Sequence, residues 1–206
     1  MSSHTLKLDF VLKSSFFDRP RKLVLDPLYL EFEDNNLASS PPTKFLKEEI
    51  EGIRYGIKWI RGYRFYIGRI YCIDIRNKSG KIIRLRLKSI YGIRKGQLSD
   101  KYVKIAKALF RYYFDAISRQ HIEAFQNNQP TELLGVKIDA EGVLFDQKIG
   151  KISWNFLGIK HYYTYYTLFS EVDPNKYKAF EYLNHWNAGL LDSVIQGIIK
   201  MKSSED

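Results

Sequence analysis

Between Ile53 and Lys88 the chain alternates apolar and polar residues over three consecutive runs. A period of two commits such a segment to extended strands with one buried face and one wet face. In the first run Ile53, Tyr55, Ile57 and Trp59 share one side, and Arg54, Gly56 and Lys58 share the other. Arg61-Gly62 breaks the pattern. A second run, Tyr63 to Arg76, ends with Tyr71, Ile73 and Ile75 on one face and Cys72, Asp74 and Arg76 opposite. Asn77-Lys78-Ser79-Gly80 reads as a turn in which glycine supplies a positive φ. The return run points Ile83, Leu85 and Leu87 inward and Arg84, Arg86 and Lys88 outward. The spacing predicts a three-stranded antiparallel meander with one apolar face and one basic face.

The charge is as localised as the pattern. The chain of 206 residues has a formal net charge of +10. Residues 1–128 hold 25 Lys+Arg against 13 Asp+Glu, whereas residues 129–206 hold 8 against 10. Residues 54–95 alone carry 13 Lys+Arg and a single acid, Asp74. A surplus confined in this way makes a local field that attracts anions.

Outside the meander, strands and helices alternate in blocks. Residues 5–12 and 22–33 alternate as strands, the second interrupted at Pro27, and 34–42 is a loop by composition. Ser99-Asp100 reads as the cap of a helix over 100–126, with Tyr102, Ile105, Leu109, Tyr113 and Ile117 on one side and Lys104, Lys107 and Arg111 on the wet side. Asn127-Asn128-Gln129-Pro130 is a linker by composition. Thereafter 133–138, 142–145, 151–157 and 159–171 read as strands, and Asp173-Pro174 as the start of a helix over 174–201. The tail from Lys202 to Asp206 reads as a frayed end. The expected class is α+β, in two units: 1–128, with the basic meander and its helix, and 129–206, shorter and nearly neutral.

Specific stretches carry a family resemblance. Leu23-Val-Leu-Asp-Pro-Leu-Tyr-Leu-Glu-Phe resembles the opening hairpin of bacterial pleckstrin-homology-like (PH-like) domains. Lys47-Glu-Glu-Ile-Glu-Gly-Ile53 resembles the segment leading into their third strand, and 71–87 the late hairpin before the closing helix. In the second half Gly135-Val-Lys-Ile-Asp-Ala-Glu-Gly-Val143 and Ile152-Ser-Trp154 are similar in the same way, although that half is short for the usual seven strands. The resemblance implies a strongly bent antiparallel meander, or partly open barrel, closed by one C-terminal amphipathic helix and occurring in tandem. It also implies a binding module rather than an enzyme. Lipid-binding members use a basic hairpin with an Arg-x-Arg pair, to which Arg84-Leu-Arg86 with Lys81 is similar in composition.

The residues themselves point the same way. Arg54, Lys58, Arg64, Arg76, Arg84, Arg86 and Lys88, with Lys78 and Lys81 at the turn, are the candidate anion-binding residues, since guanidinium and ammonium groups suit phosphate and carboxylate oxygens. The expected partner is an anionic membrane surface or an acidic protein segment, with nucleic acid as the alternative through the same face. A solvated face that only keeps the protein soluble is the plainer reading. The aromatic run 161–169 sends rings to both faces of one strand, which suits packing between the two units or a homo-oligomer contact. His4, His121, His161 and His185 lack metal-site spacing, and Cys72 is alone. His121-Ile-Glu123 lacks the downstream Pro-Cys-x-x-Cys of zinc deaminases, and Gly92-Ile-Arg-Lys-Gly96 lacks the spacing of a phosphate loop. No catalytic residue, metal or cofactor is expected. The first residues lack the pattern of a signal peptide, and the expected location is the cytoplasm with peripheral attachment to membrane.

Overall fold

The computed structural model describes residues 6–13, 18–35, 37 and 39–204. Thr5 of the first expected strand, Asn36 and Ala38 of the loop, His4, and the tail residues Glu205 and Asp206 lie outside the described residues. The protein is a mixed α+β chain. Its described strands form four antiparallel sheets, none closed into a barrel, and its last element is a helix. It divides into two compact units, Met1–Asp115 and Ala116–Asp206.

In the first unit β1 (Leu8–Leu12), β2 (Arg21–Leu25), β3 (Tyr29–Phe32) and β4 (Thr43–Leu46) form a four-stranded meander. β5 (Ile50–Arg61), β6 (Tyr66–Asn77) and β7 (Ile82–Ile90) form a three-stranded one. A 3-10 turn over Lys47–Glu49 joins the two sheets, and Glu49 accepts the N–H of Leu46 at 2.7 Å. Pro27 ends β2, as the sequence implies. Asp26 and Tyr29 then exchange main-chain hydrogen bonds of 2.9 and 3.2 Å. The core draws on Leu23, Leu30 and Phe45 from the first sheet and on Ile53, Ile73, Ile75 and Ile83 from the apolar face of the second.

The helix that follows departs from the sequence expectation. α1 covers Lys95–Leu109 and starts five residues before the expected residue 100, so Ser99 and Asp100 lie inside it rather than at its cap. The chain is turned into the helix by Tyr91, Gly92 and Arg94, all at positive φ (51°, 76° and 54°). Gly96 in the first turn is a poor helix former, which hides this start from a propensity reading. A π-helical turn over Phe110–Phe114 ends α1. It buries Tyr112, Tyr113 and Phe114 in succession, positions that spread over about 200° of an α-helix, and a π turn absorbs such a run by taking in an extra residue. Tyr113 shares its hydroxyl proton between the carbonyls of Asp26 (2.8 Å) and Tyr29 (2.7 Å), and burial pushes its phenol well above the usual tyrosine range.

The second unit begins with α2, whose range is Asp115–Gln126 with Asp115 still counted in the first. It contains β8 (Thr131–Leu133), β9 (Val136–Ile138), β10 (Gly142–Leu144) and β11 (Lys151–Ser153) in one meander. β12 (Leu157–His161), β13 (Tyr165–Ser170) and β14 (Tyr177–Glu181) form another, and α3 (Ala188–Lys202) closes the order. The expected strand 133–138 is a hairpin, because Leu134 and Gly135 take φ of 56° and 70°, the signs of a two-residue turn. The expected strand 159–171 is likewise broken by a turn at 162–164. Among the described residues this unit therefore has seven strands, as the first has, where the sequence pattern implies four.

The expected helix over 174–201 is corrected most. Pro174 opens no helix. Lys176 N–H donates to Asp173 and Ser170 N–H to Lys176, closing a turn that feeds β14. β14 pairs with β13 at five positions, with Phe180 opposite Tyr166 and 2% exposed. Tyr177 and Phe180 fit a helical spacing of three, but pairing with β13 and the inward Phe180 favour the strand. α3 starts only after Asn187, at φ 62°, and buries Leu190, Leu191, Val194, Ile195 and Ile198 as expected.

Candidate anion-binding surface

Cross-strand register decides which side chains share a face. Arg54, Asp74 and Arg84 are directly opposed across β5–β7, as are Gly56, Cys72 and Arg86, and then Lys58, Ile70 and Lys88. Arg76 opposes Gly52 and Ile82 on the same side. All six strand cations of the sequence reading thus lie on one face, with the buried isoleucines and leucines on the other.

They are not equivalent. Asp74 has a side chain only 2% exposed, and it holds two of them: Arg54 Nε stands 3.0 Å from its Oδ2 and Arg86 Nη1 2.5 Å from its Oδ1. Arg86 also donates to the carbonyl of Leu85 at 2.8 Å. Beside this triad Cys72 is fully buried, and burial pushes its thiol up. Arg76 pairs with Glu51 at 2.9 Å. The middle of the basic face is thereby an internal ion-pair network, and Arg54, Arg76 and Arg86 serve it.

The turn lysines lie at one end. Lys78 donates its N–H to the carbonyl of Glu49 at 2.8 Å, which brings the turn beside Glu48, Glu49 and Glu51. Lys78 and Lys81 therefore lie at the Glu49 end of the sheet, away from Arg64, and neither forms an ion pair among the described residues. Arg84 is exposed and lines a pocket of about 330 Å³ with Arg86 and Arg21, but Asp18 and Asp34 stand on the same wall. Arg21 is already engaged by Asp18 (3.3 Å) and by the carbonyl of Asp34 (2.8 Å).

The opposite end of the sheet is different. Lys58 and Lys88 flank Ile70 there, and beyond them come Arg61 and Arg64 at the β5–β6 turn and Arg94 and Lys95 at the start of α1. None of these six forms an ion pair with a carboxylate among the described residues. Arg69 lies over the ring of Trp59 at 4.5 Å, and Arg64 over Tyr63 at 5.4 Å. The turn is closed by Gly62 N–H to Phe65 O and the β7–α1 loop is tied on by Tyr91 N–H to Ile67 O, both 2.7 Å. Behind them lies a pocket of about 240 Å³ whose lining includes Trp59, Phe65, Tyr66, Tyr91 and Lys95 and no carboxylate.

This aromatic and basic tip is the feature the sequence reading missed. Trp59, expected on the buried face, is 42% exposed because β5 runs on past the core. Tyr63, Phe65 and Tyr91 are exposed by 90, 66 and 73%. The signal was present as arginines interleaved with aromatics over 59–66, but the contact with residues 91–95 needs the register.

Lys104, Lys107 and Arg111 are exposed on the wet side of the first helical run. In the run 161–169, Tyr166 and Leu168 are buried in their own unit, with Tyr166 stacked on Phe180 at 5.3 Å, while Tyr162 and Tyr163 are exposed. His161 meets Asp192 at 2.9 Å, and His121 Nδ1 is hydrogen-bonded to the hydroxyl of Thr131. Among the described residues no three His, Cys, Asp or Glu cluster as metal ligands, and no helix is long and apolar enough to cross a membrane. A scan against family models, a search of curated proteins and a search of solved structures each found no match.

Proposed function

We propose that the chain is a non-enzymatic binding module built from two PH-like units, and that the first binds an anionic partner at the end of β5–β7 whose cations pair with no carboxylate among the described residues. The PH-like reading is supported by the order of elements, which runs four strands, three strands and a helix in the first unit and, after α2, again in the second. In both units a 3-10 turn joins the two sheets, over Lys47–Glu49 and over Trp154–Phe156, with flanking dihedrals of −71°, 154° and −70°, 155°.

One observation carries the binding reading: Lys58, Arg61, Arg64, Lys88, Arg94 and Lys95 are gathered at one end of a sheet without ion-pair partners among the described residues, whereas Arg54 and Arg86 are paired with Asp74 and Arg76 with Glu51. Near an anionic leaflet each such cation contributes on the order of 1 kcal/mol, enough for weak, salt-sensitive association. An acidic protein segment would meet the same charges. Nucleic acid is the second reading, and its affinity would fall with salt by about 0.9 log units per log unit for each phosphate contacted. A pure assembly scaffold would form a stable oligomer and bind neither.

Sedimentation with phosphatidylcholine vesicles, with and without phosphatidylserine, tests the proposal alongside a polyglutamate resin and a low-salt shift assay. Lys58→Glu with Lys88→Glu should abolish anion binding. Lys78→Glu with Lys81→Glu, at the far end, should leave it nearly intact. Equal retention of both variants on every anionic probe would end the proposal.

A further inference from the structure

We infer that the tip of the first unit enters the interfacial layer of an anionic lipid bilayer, with Tyr63, Phe65, Tyr91 and Ile93 as the inserted side chains and Arg61, Arg64, Arg94 and Lys95 at the headgroups. This rests on the anion-binding reading above and names its partner.

Exposure is the first argument. Tyr63 is 90% exposed, Tyr91 73%, and Phe65 and Ile93 66% each. Single apolar residues on a surface need no explanation, but a group of this kind on two hydrogen-bonded segments marks an interaction site. Side chains this exposed stand on a protrusion, with Phe65 and Tyr91 also at the rim of the pocket of about 240 Å³. A protrusion is a poor receptor for a peptide, which seeks a cleft or a sheet edge, and suits a soft surface that closes around it.

Composition is the second. Tyrosine and tryptophan prefer the boundary between hydrocarbon and water, where the ring is apolar and the polar atom stays wet. Phe65 and Ile93 add purely apolar surface, and Ile93, unlike an aromatic ring, offers nucleic acid no face for base stacking. The cations stand beside the rings, so headgroup attraction and ring burial act in one pose.

Rigidity is the third. The two segments are tied by the 2.7 Å bonds of Gly62 and Tyr91, and Trp59 and Tyr66 meet at 5.6 Å beneath them. A fixed tip loses little conformational entropy on insertion. The second unit supplies a contrast. Its turn is closed in the same way, by Tyr162 N–H to Tyr165 O at 2.8 Å, and is also aromatic. Beside it, however, His161 is engaged by Asp192 and there is no arginine, so insertion is not assigned to it.

The test uses the full chain, vesicles of phosphatidylcholine with about a third phosphatidylserine, and polyglutamate as a lipid-free anion. Tyr63→Ala with Phe65→Ala alters exposed side chains only, and its thermal midpoint should match the parent. It should weaken vesicle binding by about tenfold or more and leave polyglutamate binding unchanged. An environment-sensitive dye on Phe65→Cys should shift to the blue on anionic vesicles and be quenched by brominated acyl chains. Should the parent chain bind these vesicles while the double variant binds equally well and the dye stays in water, insertion is overturned and anion binding stands. Binding to polyglutamate without binding to vesicles also overturns insertion alone. Binding to neither removes both ideas.

Discussion

Tyr166 donates its phenolic proton to the main-chain carbonyl of Ala188, 2.9 Å away. The middle strand of a three-stranded sheet thus grips the first residue of the helix that follows. Tyr71 makes the corresponding contact with Lys95, at 3.5 Å, in the first unit. A buried hydroxyl of this kind contributes about 0.5–1.5 kcal/mol. Tyr166→Phe should lower the free energy of unfolding by about 1 kcal/mol and Tyr71→Phe by less, because its bond is at the limit of length. Urea denaturation of the full chain measures both. No loss in Tyr166→Phe, or a larger one in Tyr71→Phe, would contradict the ranking.

Asp74 is a buried carboxylate between two half-exposed guanidinium groups. Removing one partner of such a network costs more than the network itself contributes, since the remaining charges lose their counter-ion. Asp74→Asn should destabilise by about 2–3 kcal/mol, discounted from the fully buried case because both arginines reach solvent. Arg84→Ala, at an exposed neighbour, should stay within about 0.5 kcal/mol. Guanidinium denaturation checks the contrast, and similar values for the two would remove Asp74 from its structural role.

His121 is held below the ordinary histidine value of 6.5 by burial. The unfolded chain then takes up a proton first. Stability is complete above that value and is lost as pH falls through it. Between about pH 7 and pH 5 the parent should lose stability more steeply than His121→Gln, in which this titration is absent. Thermal midpoints across that range decide the matter, and parallel slopes would exclude the contribution.

Much of the first unit was legible because long strands repeat their pattern often enough to be seen. From Ile53 to Lys88 the alternation places the cations on one face, and the register bears this out for Arg54, Lys58, Arg76, Arg84, Arg86 and Lys88. What could not be read was their engagement. Asp74 meets Arg54 and Arg86 only when three strands are aligned, and no local spacing announces it. The second unit was harder for the opposite reason. β8 to β11 are three residues each, too short to establish a period. The strand Tyr177–Glu181 was hidden by an Asp-Pro that suits the start of a helix equally well. Tyr63, Phe65 and Tyr91 become one surface only through the hydrogen bond from Tyr91 to Ile67, across 24 positions of chain.

The uneven pairing of cations along β5–β7 gives the first unit an electrical heading. Lys58, Arg61, Arg64, Lys88, Arg94 and Lys95 toward the Tyr63 end form no ion pair among the described residues, while Arg54 and Arg86 are countered by Asp74 and Arg76 by Glu51. In the long-range field of a negatively charged body such an asymmetry exerts a torque as well as a pull. The molecule would be turned before any collision, so that a larger share of encounters begin in the correct attitude.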